Sequence, residues 1–471
     1  MMRYLASDIF KKISIYILTV SLVISGKIIE GEDRKESIEW EKRGEVFMRV
    51  YQDTIEDSRY ETNQEIDSRF KWKNKFKFRS FPIILGINLE ARYQALVGED
   101  TEKDLDLLLK EAYLKFTKPS YSLKIGRQTV TWGKLDDIIV LDRVNPQEYK
   151  WFILWDKQER KIPVFMAKYD YYGNNYQIET VIVPFFKPSY VRFFGSDWAV
   201  FGHLKEVIED GSYSQSIKNI IKSIKVHEKD RFSEQVLENM QGGIRVKGTF
   251  KGIDWSIYYM YFYNDTPTLR ERTSKGNTVK KFLYIPTNSN LSQLVAQNPS
   301  GDDLILDREY SRLHIIGVDF ETVAGNYGLR GELGFFYNKP FLRENFSYIE
   351  KNTLCAGIGI DHTTSGNLYW NLQFIEDIVF SYENLFSQEE YSHQITSTFS
   401  KDFLRGKLTF GVDSSYRISY HDWMVNPNFT YNFNGRLSIL VGGFIFEGAS
   451  TTLFGRYAKK DVIYFQTTYK F

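Results

Sequence analysis

From Phe70 to Arg79 the chain alternates with a period of two. Phe70, Trp72, Phe76 and Phe78 fall on one face, and Lys71, Lys73, Lys75, Lys77 and Arg79 on the other. Leu85, Ile87, Leu89, Ala91, Tyr93 and Ala95 alternate in the same way with Gly86, Asn88, Glu90, Arg92 and Gln94. Leu368, Trp370, Leu372 and Phe374 alternate with Tyr369, Asn371 and Gln373. One face of each suits hydrocarbon and the other suits water, the pattern of half-buried β-strands. About eighteen such segments (16–18) can be read, from 44–53 to 461–471.

The connections alternate too. Short ones at 80–82, 118–119, 173–175, 251–252, 324–326, 364–366, 402–403 and 434–435 are mostly Gly, Pro, Asn and Ser, the chemistry of tight turns. Between them lie longer polar stretches, the largest at 131–161, 186–240 and 264–311. Short turns on one side and long loops on the other predict an all-β fold, a transmembrane antiparallel β-barrel of the bacterial outer membrane with some loops folded into the lumen. An even strand count returns both termini to the periplasm. Ile217, Ile220, Ile221 and Ile224 recur at helical spacing, which predicts a short helix on the rim.

Composition agrees with a barrel. Aromatic residues make up 16% of the chain, with 32 Tyr and 36 Phe, and a barrel uses such rings as girdles at both interfaces. A net charge of +1 gives no argument for nucleic acid. Cys355 is the only cysteine, so no intramolecular disulfide forms, and its strand-like setting reads as wall. Arg3, Lys11 and Lys12, the apolar run 13–24 and a small-residue site at 23–25 predict a signal peptide over 1–25. The apolar run falls short of the roughly 20 residues that a membrane helix needs. Residues 26–43 then read as a charged periplasmic lead and 44–471 as the barrel.

In the last segment, Ile463, Phe465, Thr467, Tyr469 and Phe471 share one face. An alternating strand that closes on an aromatic carboxyl terminus resembles the assembly signal of Gram-negative outer-membrane barrels. Barrel-assembly machinery and outer-membrane lipid are therefore expected partners, with Phe471 and Tyr469 carrying the signal.

The densest motif block joins Gly126-Arg-Gln-Thr-Val-Thr-Trp-Gly-Lys134 to Leu141-Asp-Arg-Val-Asn-Pro-Gln-Glu-Tyr149, preceded by Leu109-Lys-Glu-Ala-Tyr113. Glycine at 126 would allow a bulge that aims Arg127 into the lumen beside Gln128. Glu111, Tyr113, Arg127, Gln128, Asp142 and Asn145 are the candidates here. They serve either as a buried polar network that holds the loop inside the barrel or as direct solute contacts. The block, with Phe446-Glu-Gly-Ala-Ser-Thr-Thr-Leu-Phe-Gly455 and the closing strand, resembles a family of proteobacterial outer-membrane barrels defined as a domain of unknown function. It is more distantly similar to alginate-export porins, which share a Gly-Arg-Gln hairpin leading into a long loop. The resemblance implies a barrel of about eighteen strands and a transport role, and supplies no substrate.

The lysine ladder, Lys71, Lys73, Lys75, Lys77 and Arg79, is the second candidate, joined by Arg92. As a lumen wall it would favour anions, since charged rings select by sign; as a set of paired charges it would favour neither. Six histidines are scattered without metal spacing, so neither a metal nor a cofactor is expected. Gly357-Ile-Gly359 lies in a strand with no helix after it, and no Ser/His pair marks a hydrolase rim, so no enzyme is expected. The expected function is a channel passing a small or polymeric, possibly anionic solute through a loop-constricted lumen. Alternatives are a plugged barrel working with a periplasmic or inner-membrane export or lipid-transfer partner, and a receptor built on the 264–311 loop.

Overall fold

The computed structural model describes residues 38–54, 64–78, 81–97, 102–196, 198–202, 204, 213–228, 238–272, 277–298 and 301–471. The expected signal peptide and Arg79 lie outside the described residues. The first half of the wall is β1 (Ile38–Asp53), β2 (Gln64–Phe78), β3 (Ile83–Val97), β4 (Glu102–Lys118), β5 (Tyr121–Gln128), β6 (Val164–Tyr172) and β7 (Tyr176–Val183). After β8 (Ile224–Glu228) come β9 (Gln241–Phe250) and β10 (Ile253–Tyr263), then β11 (Thr268–Glu271) and β12 (Leu304–Glu309). The second half runs β13 (Arg312–Ala324), β14 (Tyr327–Leu342), β15 (Tyr348–Thr363), β16 (Leu368–Val379), β17 (Tyr391–Phe403), β18 (Leu408–Arg417), β19 (Asp422–Asn432), β20 (Leu437–Glu447) and β21 (Val462–Lys470).

Eighteen of these strands form one sheet that closes on itself; β8, β11 and β12 form a separate small sheet. Closure is antiparallel, β1 against β21, with Glu45 facing Lys470 and Asp53 facing Val462. β1 starts at Ile38, so the last residues of the expected periplasmic lead are already strand. Their partners explain this, because Glu39 and Glu41 sit opposite Lys77 and Lys75.

Side chains divide as the alternation requires. Leu105, Leu107, Leu114, Ile257, Ile316, Ile358 and Phe465 stand exposed on the outer face. Trp40, Phe76, Tyr121 and Tyr169 ring the short-turn edge, and Tyr259, Tyr261, His314 and Tyr337 the long-loop edge. A closed barrel satisfies every backbone group in lipid, and an apolar belt between aromatic girdles is the outer-membrane form of it. The short turns therefore face the periplasm.

Two long connections build a cap that the sequence pattern does not reveal. β8 pairs in parallel with β12, and β12 antiparallel with β11. The helix Gln215–Lys222 buries Ile220 and Ile221, while Ile224 already belongs to β8. Phe201, Leu269, Phe282, Leu283, Leu294 and Leu306 complete a core of their own. The cap touches distant rim loops: Leu269 N–H donates to Tyr348 (3.0 Å), Asn277 to the Asn345 carbonyl (2.7 Å), and Arg456 to the Val200 carbonyl (3.4 Å).

Candidate functional site

The connection from 129 to 163 turns into the lumen and crosses it. Val130, Trp132, Leu135, Val140, Leu141 and Val144 pack on Met166, Val181, Tyr258, Met260, Ile315 and Phe336 of the inner wall. Trp151, Phe152, Leu154 and Trp155 pack on Tyr51, Phe444, Phe446 and Tyr464 of the opposite wall. Burying one such side chain stabilises by about 1.5–3 kcal/mol, so each end of the loop is firmly seated.

Polar anchors sit at the ends of these patches. Glu332 of β14 accepts the backbone N–H groups of Lys134 (2.5 Å), Leu135 (2.7 Å) and Leu141 (3.0 Å). Glu179 accepts the Trp132 indole N–H at 2.5 Å. On the other wall Arg92 holds Glu148 through one nitrogen at 2.8 and 3.0 Å, and Lys71 holds Glu159 at 2.8 Å. The guanidinium groups of Arg69 and Arg92 lie 4.1 and 4.7 Å from the Trp155 ring. Burial would raise the Glu159 carboxyl, but Arg69, Lys71 and Arg49 outweigh it and bring the pKa down to about 2. Burial pulls the neighbouring Lys157 ammonium down to about 8.

The neck of the loop is tied to itself. Asn145 accepts the Val130 N–H at 2.7 Å and donates to the carbonyls of Gln128 (3.3 Å) and Ile162 (3.0 Å). Lys161 forms a buried ion pair with Asp142 at 2.7 Å and donates to Thr131 Oγ1 at 2.6 Å. Glu111 accepts the Thr129 N–H (3.1 Å) and hydroxyl (3.0 Å) and the Asn88 amide (2.6 Å). Three of the expected residues, Glu111, Asp142 and Asn145, thus hold the loop. The Asp and Asn-Pro signals marked Asp142 and Asn145 and the Glu-Ala-Tyr strand marked Glu111, whereas alternation marks Glu179 and Glu332 only as lumen-facing carboxylates far away in sequence.

Arg127 does not join them. It pairs in register with Ala112 and Phe165, residues of the outer face. Gly126 makes no bulge in β5; its φ of +132° lets the chain pass where a Cβ would meet the Ala112 carbonyl at 2.2 Å. The bulge is in β4, where Asn88 pairs with Glu111 but Leu89 with Leu109, leaving Lys110 over. Arg127 Nε donates to the carbonyl of that extra residue at 3.3 Å. It satisfies a carbonyl in the bulge, which explains an arginine on the outer face.

The lysine ladder does face the lumen, but it is largely neutralised. Lys71 pairs with Glu45 (3.2 Å) as well as Glu159, Lys75 with Glu41 (3.6 Å), and Lys77 with Glu39 (3.2 Å) and Glu41. Lys73 sits opposite Arg43 and carries no ion pair among the described residues.

Beneath the loop, on the periplasmic side, is a chamber of about 480 Å³. Gln128, Thr129, Val130 and Thr131 roof it, and Lys75, Tyr113, Lys115, Lys124, Lys168, Arg245 and Lys247 line its walls with Asp170 and Glu179. Lys124 lies 3.7 Å from the centre of the Tyr113 ring. Of the expected residues, Lys75, Tyr113 and Gln128 meet here.

A family model described as "Protein of unknown function (DUF1302)" matches residues 42–455. The chain belongs to the DUF1302 family. No curated protein matches it. Among solved structures it is similar to a Salmonella typhi OmpF complex with daunomycin, at 12% identity and a TM-score of 0.41, over 94% of this chain and 100% of that one. Pseudomonas aeruginosa OccK5 (OpdH) gives 11% identity and a TM-score of 0.45 over 92% and 97%. Acinetobacter baumannii OccAB4 gives 10% and 0.48 over 93% and 100%. At such identities the likeness concerns the barrel alone, so the role of this DUF1302 member rests on its own loop and chamber.

Proposed function

We propose that this DUF1302 barrel is an outer-membrane channel in which the 129–163 loop sets the constriction and a small solute diffuses past it. The supporting observation is the loop's double seating on two opposite walls above a water-accessible chamber. Tyr113 and Lys75 belong to the solute path in this reading; Gln128, fully buried with its amide on the carbonyls of Lys124 and Met166, joins Glu111, Asp142, Asn145, Arg92 and Lys71 in keeping the constriction in place. The wall supplies passage, the loop supplies size selection, and no chemical step is required. The expected signal peptide at 1–25 would deliver the chain to the periplasm.

Proteoliposome swelling tests this. Arabinose should enter faster than sucrose, and sucrose faster than raffinose. A rate equal to protein-free liposomes for all three would refute an open channel.

A second reading has an observation of its own. The cap joins rim loops on separate arcs of the mouth, through Tyr348 and Asn345 on one side and Arg456 on another. A roofed mouth favours a closed barrel that opens for a periplasmic or inner-membrane export or lipid-transfer partner. Crosslinking in whole cells should then recover such a partner, and recovery of the barrel alone would favour the simple channel.

A further inference from the structure

The chamber holds a charge arrangement that loop docking does not use. Lys115 of β4 stands directly opposite Lys124 of β5, and Lys124 directly opposite Lys168 of β6. Three ammonium groups therefore share one rung of the inner wall. Like charges directly opposed across strands destabilise a sheet, and any neutral polar residue would serve the fold better there. Lys247, Arg245 and Lys75 extend the cationic lining on either side.

The local acids do not balance it. Asp170 and Glu179 engage Lys168 at 2.8 and 3.3 Å, Glu179 engages Arg245 at 2.8 Å, and Glu41 reaches Lys75 at 3.6 Å. None of the ion pairs among the described residues includes Lys115, Lys124 or Lys247. Lys124 rests on the Tyr113 ring and forms no ion pair among the described residues, with the Glu111 and Asp170 carboxylates acting on its charge only from beyond ion-pair distance. Ile84, Tyr113 and Val130 give the same chamber an apolar flank. Its volume falls within the range of small-molecule pockets, about 300–1,000 Å³.

We propose that this rung is a binding site for small solutes with two or more negative charges, whose carboxylate or phosphate oxygens bridge Lys115, Lys124 and Lys247. Such a ligand removes the repulsion between the lysines, and the chamber walls focus their field on the periplasmic entrance. The site's use as a selectivity step rests on the channel reading; the binding itself does not.

The test uses the full-length protein, wild type and a Lys115→Gln, Lys124→Gln, Lys247→Gln triple variant. Arg127→Gln, on the outer face, is the control. Titration calorimetry in detergent uses inorganic pyrophosphate and succinate as probes, with maltose as the neutral comparison. Both anions should bind wild type and Arg127→Gln alike, the triple variant about tenfold more weakly, and maltose none of them. Reversal potentials in a potassium chloride gradient should show wild type preferring chloride and the triple variant losing several-fold in that preference.

Pyrophosphate binding that the triple variant retains in full would overturn the proposed site, and a conducting wild type without chloride preference would overturn its use as a selectivity step; the channel reading would survive both. Binding lost in the triple variant together with no conductance in any protein would uphold the site and refute the channel. Heat-dependent mobility in SDS gels confirms that each variant is a folded barrel.

Discussion

Replacing Glu332 by alanine should free one end of the constriction without unfolding the wall. Its carboxylate accepts three loop N–H groups, from Lys134, Leu135 and Leu141, at 2.5–3.0 Å, and Leu135 and Leu141 are buried. A buried donor left without a partner costs about 1–3 kcal/mol. Three such losses, reduced where water enters the space of the missing side chain, give on the order of 3–4 kcal/mol. The apolar seat of Trp132 and Leu141 remains, so the loop should open more often rather than stay released. At tenfold per 1.4 kcal/mol, the opening equilibrium should shift by about 10²–10³.

Hydrogen–deuterium exchange of peptides within 131–144 reads that shift directly, because exchange from a seated loop follows the open population. Peptides of β13 and β14 should keep their protection, and single-channel conductance should rise. Unchanged exchange at 131–144 would refute the argument that Glu332 latches the loop. A collapse of protection throughout the wall would assign Glu332 to barrel stability instead.

Asp142→Asn should leave the Lys161 ammonium buried without its counter-charge, a loss of about 3–5 kcal/mol, and should destabilise the neck in the same exchange experiment at 129–131 and 160–163. Acid should loosen the other end. The Glu159 carboxyl is depressed from an ordinary 4.5 to about 2, so its contribution is complete above pH 4.5 and disappears as pH falls toward 2, at most about 3 kcal/mol. Protection at 150–160, taken relative to the intrinsic exchange rate at each pH, should fall below pH 4.5 in wild type and show no such change in Glu159→Gln, where it should already be low at pH 7. Gly44→Val should displace Phe471, whose ring lies 2.2 Å from where a Cβ at Gly44 would sit, and should lower the outer-membrane yield without changing ion selectivity, as should deletion of Phe471.

Strand alternation made the barrel legible in the sequence. Each strand needs only a local period of two to seat its apolar face in lipid, so Phe70 to Phe78, Leu85 to Ala95 and Ile463 to Phe471 lie on the faces assigned to them. The Asn145-Pro146 and Asp142 signals identified the loop neck for a similar reason, because turn chemistry is local. What escaped depends on register between strands. The β4 bulge at Lys110 has no composition cue, and it supplies the carbonyl that Arg127 satisfies on the outer face. The lysine ladder could be read equally as an anion-favouring wall or as paired charges, and the extension of β1 back to Ile38 decides it by setting Glu39 and Glu41 against the ladder beside Glu45. Alternation places Lys115 and Lys124 in the lumen, but they sit on separate strands, and only the pairing of β4 with β5 makes them neighbours. The cap escaped because its small sheet joins β8 to β12 across 75 residues of chain, with no alternation long enough to read.

Replacing residues 131–161 by a short Gly-Ser linker and recording single channels in planar bilayers tests the central claim most directly. If the loop is the constriction of a passive channel, wild type should show small, discrete openings and the linker variant a several-fold larger, steadier conductance. Absence of conductance in both, with folded barrels confirmed by heat-dependent gel mobility, would contradict it.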